Sequence, residues 1–212
     1  GLSMLIAAPI GAAASQVGTL IMWATEQAPL VMGILVSVIV GVALTLPISS
    51  AAICAALGLT GLAGGAAVAG CCAQMIGFAV MSYKENGVGG LVSQGLGTSM
   101  LQMGNIVKNP RIWIAPTLAS AITGPLATCV FHFEMNGAAV SSGMGTCGLV
   151  GQIGVYTGWV SDIAAGTKAA ITPMDWAAMV LLCFVLPAVL SVIFCEIERK
   201  LGWIKDGDLK LD

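Results

Sequence analysis

The stretch Phe131-His132-Phe133-Glu134-Met135-Asn136 puts a carboxylate, an imidazole and an amide within five residues of an otherwise apolar run. An ionisable group among apolar neighbours is costly to keep and points to function. A carboxylate accepts two hydroxyl hydrogen bonds, or acts as a base toward one. Glu134 is therefore the first candidate for binding a solute, with Asn136 beside it; the competing reading is that Glu134 marks the outer boundary of a membrane span. His132, alone between two phenylalanines, is either a ligand or an interfacial side chain. Ser49, Ser50 and Gln152 are neutral polar groups next to two Gly-rich segments. With Asn136 they suit either a polyhydroxylated solute or unwound backbone that needs partners. Gly143-x-Gly145-x-x-Gly148 has the letters of a dinucleotide fingerprint, which also needs a preceding strand, a following helix and a later acidic residue. It lies in an uncharged run, so the glycines read as close packing or a hairpin tip. Gly145 and Thr146 at that tip join the candidates, because glycine lets backbone approach a ligand. Seven cysteines with no C-x-x-C and a single histidine read as small buried hydrophobes. No metal or other cofactor is expected.

The elements that carry these residues are membrane helices. The 212 residues are 58% hydrophobic and 8% charged, with a mean hydropathy of +0.97. Soluble domains are roughly 45–50% apolar and ~25% charged. So little charge cannot solvate a surface, which excludes an ordinary soluble enzyme and also disorder. A net charge of −2 excludes an electrostatic nucleic-acid binder. Between Glu26 and Lys84 lie 57 residues without a charge, and further uncharged runs cover 1–25, 86–107, 112–133, 135–161 and 176–195. At about 20 residues per crossing these hold roughly five to seven membrane segments. No basic region precedes the first run, so it is not read as a cleaved signal peptide.

The chain divides accordingly within one membrane domain. Residues 1–46 hold the first spans, and 47–87 a Gly-rich broken segment, a span and the turn SYKENG at 82–87. In 88–107, Gln94, Thr98, Gln102 and Asn105, followed by Asn109, form one polar helical stripe. That stretch is read as an amphipathic connector in the interface rather than a span with its stripe turned inward. Residues 108–161 begin with the basic loop Lys108-Asn109-Pro110-Arg111, then a span and a second Gly-rich segment. The last span and tail occupy 162–212. Four basic residues after Glu198 against one, Lys168, in the 162–175 loop put the C-terminus in the cytoplasm. With 108–111 inside as well, 135–161 must cross twice or not at all. Its 27 residues are too few for two crossings, so it reads as a re-entrant hairpin. A weak repeat supports a second one. Residues 51–64 align without gaps on 138–151, with identities that include Gly58/Gly145, Gly61/Gly148 and Gly64/Gly151. The expected fold is an all-α integral membrane domain of about five transmembrane helices, one or two re-entrant hairpins and an amphipathic connector helix.

The run GLGTSMLQMGNIVKNPRIWIAPTLASAITGPLATCVF (95–131), then FEMN and GMGTCGLVGQIG (143–154), resembles the membrane enzyme IIC family of the bacterial phosphotransferase system. PISSAA (47–52) and CCAQMIGFAV (71–80) extend the likeness, which more narrowly resembles the branch that includes possible perfringolysin-regulator membrane proteins. The resemblance implies a multi-pass sugar permease of the bacterial inner membrane, a homodimer in lipid, served by cytosolic IIA and IIB phosphocarrier proteins. It carries no phospho-His or phospho-Cys carrier of its own. Family members are generally longer, so the chain reads as N-terminally incomplete. The alternative is a membrane regulator or sensor that binds a solute without phosphorylation-coupled transport.

Overall fold

A computed structural model describes residues 2–211, with side chains from Gly11 onward. Its regular elements are all helices, apart from one isolated bridge between Gly61 and Met135. Helix α1 (Leu2–Gln27) turns at Ala28 into α2 (Pro29–Thr45), where Pro29 occupies the first helical turn. Pro47 prevents continuation. Ser49 then caps α3 (Ser50–Leu57) by accepting from Ala52 N, and Gly58 ends it in the left-handed conformation. Helix α4 (Gly61–Met81) follows, then α5 (Tyr83–Val92) and α6 (Met103–Lys108). Asn109 caps a 3-10 turn that leads into α7 (Ile114–Pro125) and a π turn ending at Val130. After an irregular stretch come α8 (Val150–Ala164), α9 (Pro173–Val180) and α10 (Leu186–Lys200), the last two joined by the π turn Leu181–Val185.

Among the described residues, Gly61–Met81, Pro110–Val130 and Pro173–Lys200 are long and apolar enough to cross a membrane, and Pro29–Thr45 is a shorter apolar helix. Helix α4 is buried almost all round, as an apolar helix at the centre of a bundle must be. Outward faces stay apolar: Ile39 is 63% exposed and Val189 50%. Such surfaces suit lipid rather than water.

Small residues set the packing. A Cβ on Gly70 would strike the Ser37 carbonyl, and one on Gly124 the Gly33 carbonyl. Ser37 Oγ donates to Ser120 O at 2.8 Å, and Ser120 Oγ to Gly70 O at 3.2 Å. Close backbone approach and serine–carbonyl bonds hold helices together where lipid supplies no hydrophobic drive. These pairings also fix direction. Thr45 meets Gln74, and Gly77 meets both Ser191 and Pro116, so α2, α4 and α10 run parallel and α7 antiparallel to them.

Two details differ from the sequence expectation. The 82–87 turn is only one residue deep, because Tyr83 already starts α5, which kinks at Gly87 (φ +59°). Lys84 pairs with Glu196 at 3.0 Å and Glu85 with Arg199 at 2.7 Å, tying this corner to α10. The connector, too, is not one helix: a π turn and extended Thr98 (φ −159°) break it. Its stripe nonetheless gathers, facing inward onto the C-terminal segment. Gln102 Nε2 donates to Gln94 Oε1 (2.9 Å) and Leu209 O (3.0 Å), Asn105 Nδ2 to Lys210 O (2.9 Å), and Asn109 Nδ2 to Trp203 O (2.9 Å). Asn86 bonds both Leu209 O and Leu211 N at 2.8 Å. Leu209 is fully buried beside Phe78 and Ile106, while Val88 and Val107 face outward.

Candidate functional site

Met135 exchanges two backbone hydrogen bonds of 3.0 Å with Gly61, which pins the segment after α7 to the start of α4. Phe133 N reaches Ala127 O at 2.7 Å. The segment between is extended, and extended side chains alternate. Phe133 and Met135 are buried; His132 and Glu134 are exposed and Asn136 half-buried on the other side. His132 stands at φ +45°, a left-handed conformation that few non-glycine residues adopt.

These three side chains line a cavity of about 470 Å³, within the ordinary range for small-molecule sites. Its other walls are Trp159 and Asp162 of α8, Thr167 and Lys168 of the following loop, and Met174, Asp175 and Ala178 of α9. Asn136 Nδ2 donates to Glu134 Oε2 at 3.0 Å and to Asp162 Oδ2 at 2.9 Å, so one amide bridges two carboxylates. Lys168 binds Asp175 at 2.9 Å, and Asp175 also forms a capping box with Thr172 at the start of α9. Trp159 sits edge-on to Trp176 at 5.5 Å, with Lys168 Nζ 5.8 Å from the Trp159 ring. The lining offers many acceptors; its side-chain donors are Lys168, His132, Thr167, the indole and the Asn136 amide, the last already spent on Glu134 and Asp162. It suits a hydroxylated solute that donates hydrogen bonds and lays an apolar face on an aromatic ring.

Glu134, His132 and Asn136 thus come together. Asp162, Trp159, Lys168 and Asp175 join them although the sequence reading did not single them out as site residues; the pairing of Asp175 with Thr172 as a capping box was the available local signal. The remaining candidates lie elsewhere. From Ala138 the chain descends through a 3-10 turn (Ala139–Gly143) to a tip at 144–149, then climbs back along α8. Gly145 (φ +54°) packs against Cys71 and Cys72 at the tip, and Thr146 is buried, donating to Gly95 O. Gln152 is buried one turn above, with Nε2 3.3 Å from Cys72 Sγ. Ser50 Oγ donates to Gly143 O and Ser142 Oγ to Leu59 O, both at 2.7 Å, so the two Gly-rich segments interlock. Ser49 is exposed and spent on capping α3, away from Glu134.

Residues 1–211 match the family model described as Phosphotransferase system, EIIC. The chain belongs to that family. An EIIC chain is a multi-pass membrane permease component of a sugar phosphotransferase system, so a sugar substrate and IIA and IIB partners follow in general terms. No curated protein and no solved structure matches this EIIC chain.

Proposed function

We propose that this EIIC chain takes up a neutral sugar or sugar-like polyol through the Glu134 cavity, and that uptake is coupled to phosphorylation by IIA and IIB. The observation that carries the reading is the Glu134–Asn136–Asp162 bridge in a cavity walled by Trp159. Three carboxylates against one lysine give this mouth a negative field, which favours hydroxyl-rich solutes over sugar acids. The cavity faces outward. Arg199, Lys200, Lys205 and Lys210 at the other end support a cytoplasmic tail in the bacterial inner membrane. Residues 135–161 then form a re-entrant hairpin that enters and leaves on the mouth side; the Asn136–Asp162 bond between its two ends supports this. A homodimer is part of the same reading. It rests on the family resemblance.

The test is uptake by the full-length protein in membrane vesicles, with and without phosphoenolpyruvate and the soluble partners, across neutral, amino and acidic sugars. Accumulation of a neutral sugar or polyol that needs phosphoenolpyruvate is the expected result. Solute binding without uptake under every condition would transfer the reading to a membrane sensor.

A further inference from the structure

Gln152 is 7% exposed, and its Oε1 meets no partner among the described residues. Its Nε2 reaches only the Cys72 sulfur, a weak acceptor. Turning the amide over merely exchanges which end is left unpartnered. Buried amides are normally satisfied, so each exception needs an explanation.

Its position in the fold supplies one. Gln152, Val155, Trp159 and Asp162 follow each other at helical spacing along α8, and all but Asp162 are buried. Asp162 and Trp159 line the mouth cavity, and Gln152 lies about 15 Å deeper than Asp162 by the rise of the helix. Between them stands one apolar cluster of Phe133, Val155, Trp159, Ala178, Met179, Leu182 and, at the bottom, Cys72 and Cys183. Phe133, Trp159 and Ala178 are at once the cavity floor and the top of this cluster. Leu182 and Cys183 sit on the π turn Leu181–Val185, a helix irregularity often found at functional sites. Gly154 and Gly158 let α8 lie directly against Ser141 and the backbone at Asn136–Gly137, with no side chain between.

We propose that Gln152 is an inner solute station, separated from the mouth by the Trp159–Met179–Leu182 partition, and that it takes a hydroxyl of the neutral solute on its free amide end. The station rests on the proposed permease reading. It is uncharged, so a carboxylate or ammonium group arriving there would find no counter-ion, whereas a hydroxyl finds both an acceptor and a donor. Mouth and station together therefore select a neutral polyol: the first repels anions and the second refuses any ion.

Two measurements on the full-length protein test this. First, Gln152→Met and Glu134→Gln are compared for vesicle uptake of glucose, mannose, mannitol and galactitol, and for melting temperature. Gln152→Met is expected to lower uptake about tenfold or more while melting no lower than the parent, since it removes an unsatisfied buried amide. Parental uptake in Gln152→Met beside impaired Glu134→Gln overturns the station and leaves the mouth site standing. Parental uptake in both overturns the mouth site itself. A clear drop in melting temperature makes Gln152 a structural residue and also overturns the station. Second, N-ethylmaleimide alkylation of Cys72 is followed by peptide mapping, which needs no knowledge of the solute. Trp159→Ala is expected to speed it about tenfold by opening the partition. An unchanged rate shows that no route joins the mouth to Gln152.

Discussion

Residues 46–60 and 133–147 lie 87 positions apart and are punctuated alike. Gly58 and Gly145 are left-handed (φ +65° and +54°), and three residues later so are Gly61 and Gly148 (φ +63° and +53°). The same offset places Gly33 opposite Ser120 and Ser37 opposite Gly124, the residues through which α2 and α7 touch. Between the glycines the two segments part. The first is a regular eight-residue helix with a serine cap and a glycine stop. The second is extended backbone and a five-residue 3-10 turn. It brings two non-glycine residues in the left-handed region with it, His132 just before and Leu149 just after. Where the first segment has Pro47 and Ser49, the second has Glu134 and Asn136. The regular copy serves as scaffold. The irregular copy gives up helical hydrogen bonds and turns polar side chains into a cavity, and its unfavourable backbone is an observation that supports the proposed site.

Substitutions at matched positions can break this comparison. Gly145→Ala should have the largest effect. Its Cβ would lie 2.7 Å from Cys71 Cβ and 2.9 Å from Cys72 N on top of a left-handed φ. A loss of about 2–5 kcal/mol is expected, read as a collapse in the yield of folded protein. Next comes Glu134→Gln, which keeps shape and removes charge. Loss of one charge-assisted hydrogen bond should weaken solute affinity about 10- to 150-fold in a binding titration. The matched Gly58→Ala meets open space, so only its φ is penalised, at about 1–2 kcal/mol in a thermal melt. A Gly58→Ala protein as damaged as Gly145→Ala would mean that the two segments are equally constrained. Ser49→Ala removes a cap worth about 1 kcal/mol and should leave solute affinity unchanged; a fall in affinity would return Ser49 to the site. The smallest effect belongs to His132→Gly. It relieves the left-handed strain, so a melting temperature at or above the parent's is expected, with weaker binding if the imidazole is a ligand.

Much of this was readable in advance. The charge map located the long apolar helices; the re-entrant course of 135–161, which counting suggests, belongs to the proposed function. Glu134, His132 and Asn136 were marked by ionisable or polar character in an apolar run. Asp162, Lys168 and Asp175 were not, because charges at helix ends and in the loop between them are ordinary until the fold closes that corner over a cavity. The polar stripe at Gln94 and Gln102 was legible as a stripe. What it holds, a carbonyl at Leu209 107 residues further on, is set by tertiary contact, which local periodicity does not encode. Ser49 was readable only as a choice between solute ligand and backbone partner, because polarity next to a Gly-rich segment is equally the signature of a helix cap, the role it has here.

The clasp on the C-terminal segment has one more consequence. At Leu209–Leu211 it is made of amide side chains meeting backbone groups, with Leu209 seated among hydrocarbon. None of these partners carries a formal charge or titrates near neutrality. Salt screens charge pairs over a Debye length of about 8 Å at physiological ionic strength, but it has little hold on neutral amides. The segment should therefore stay seated through swings in salt that would loosen the neighbouring Lys84–Glu196 pair.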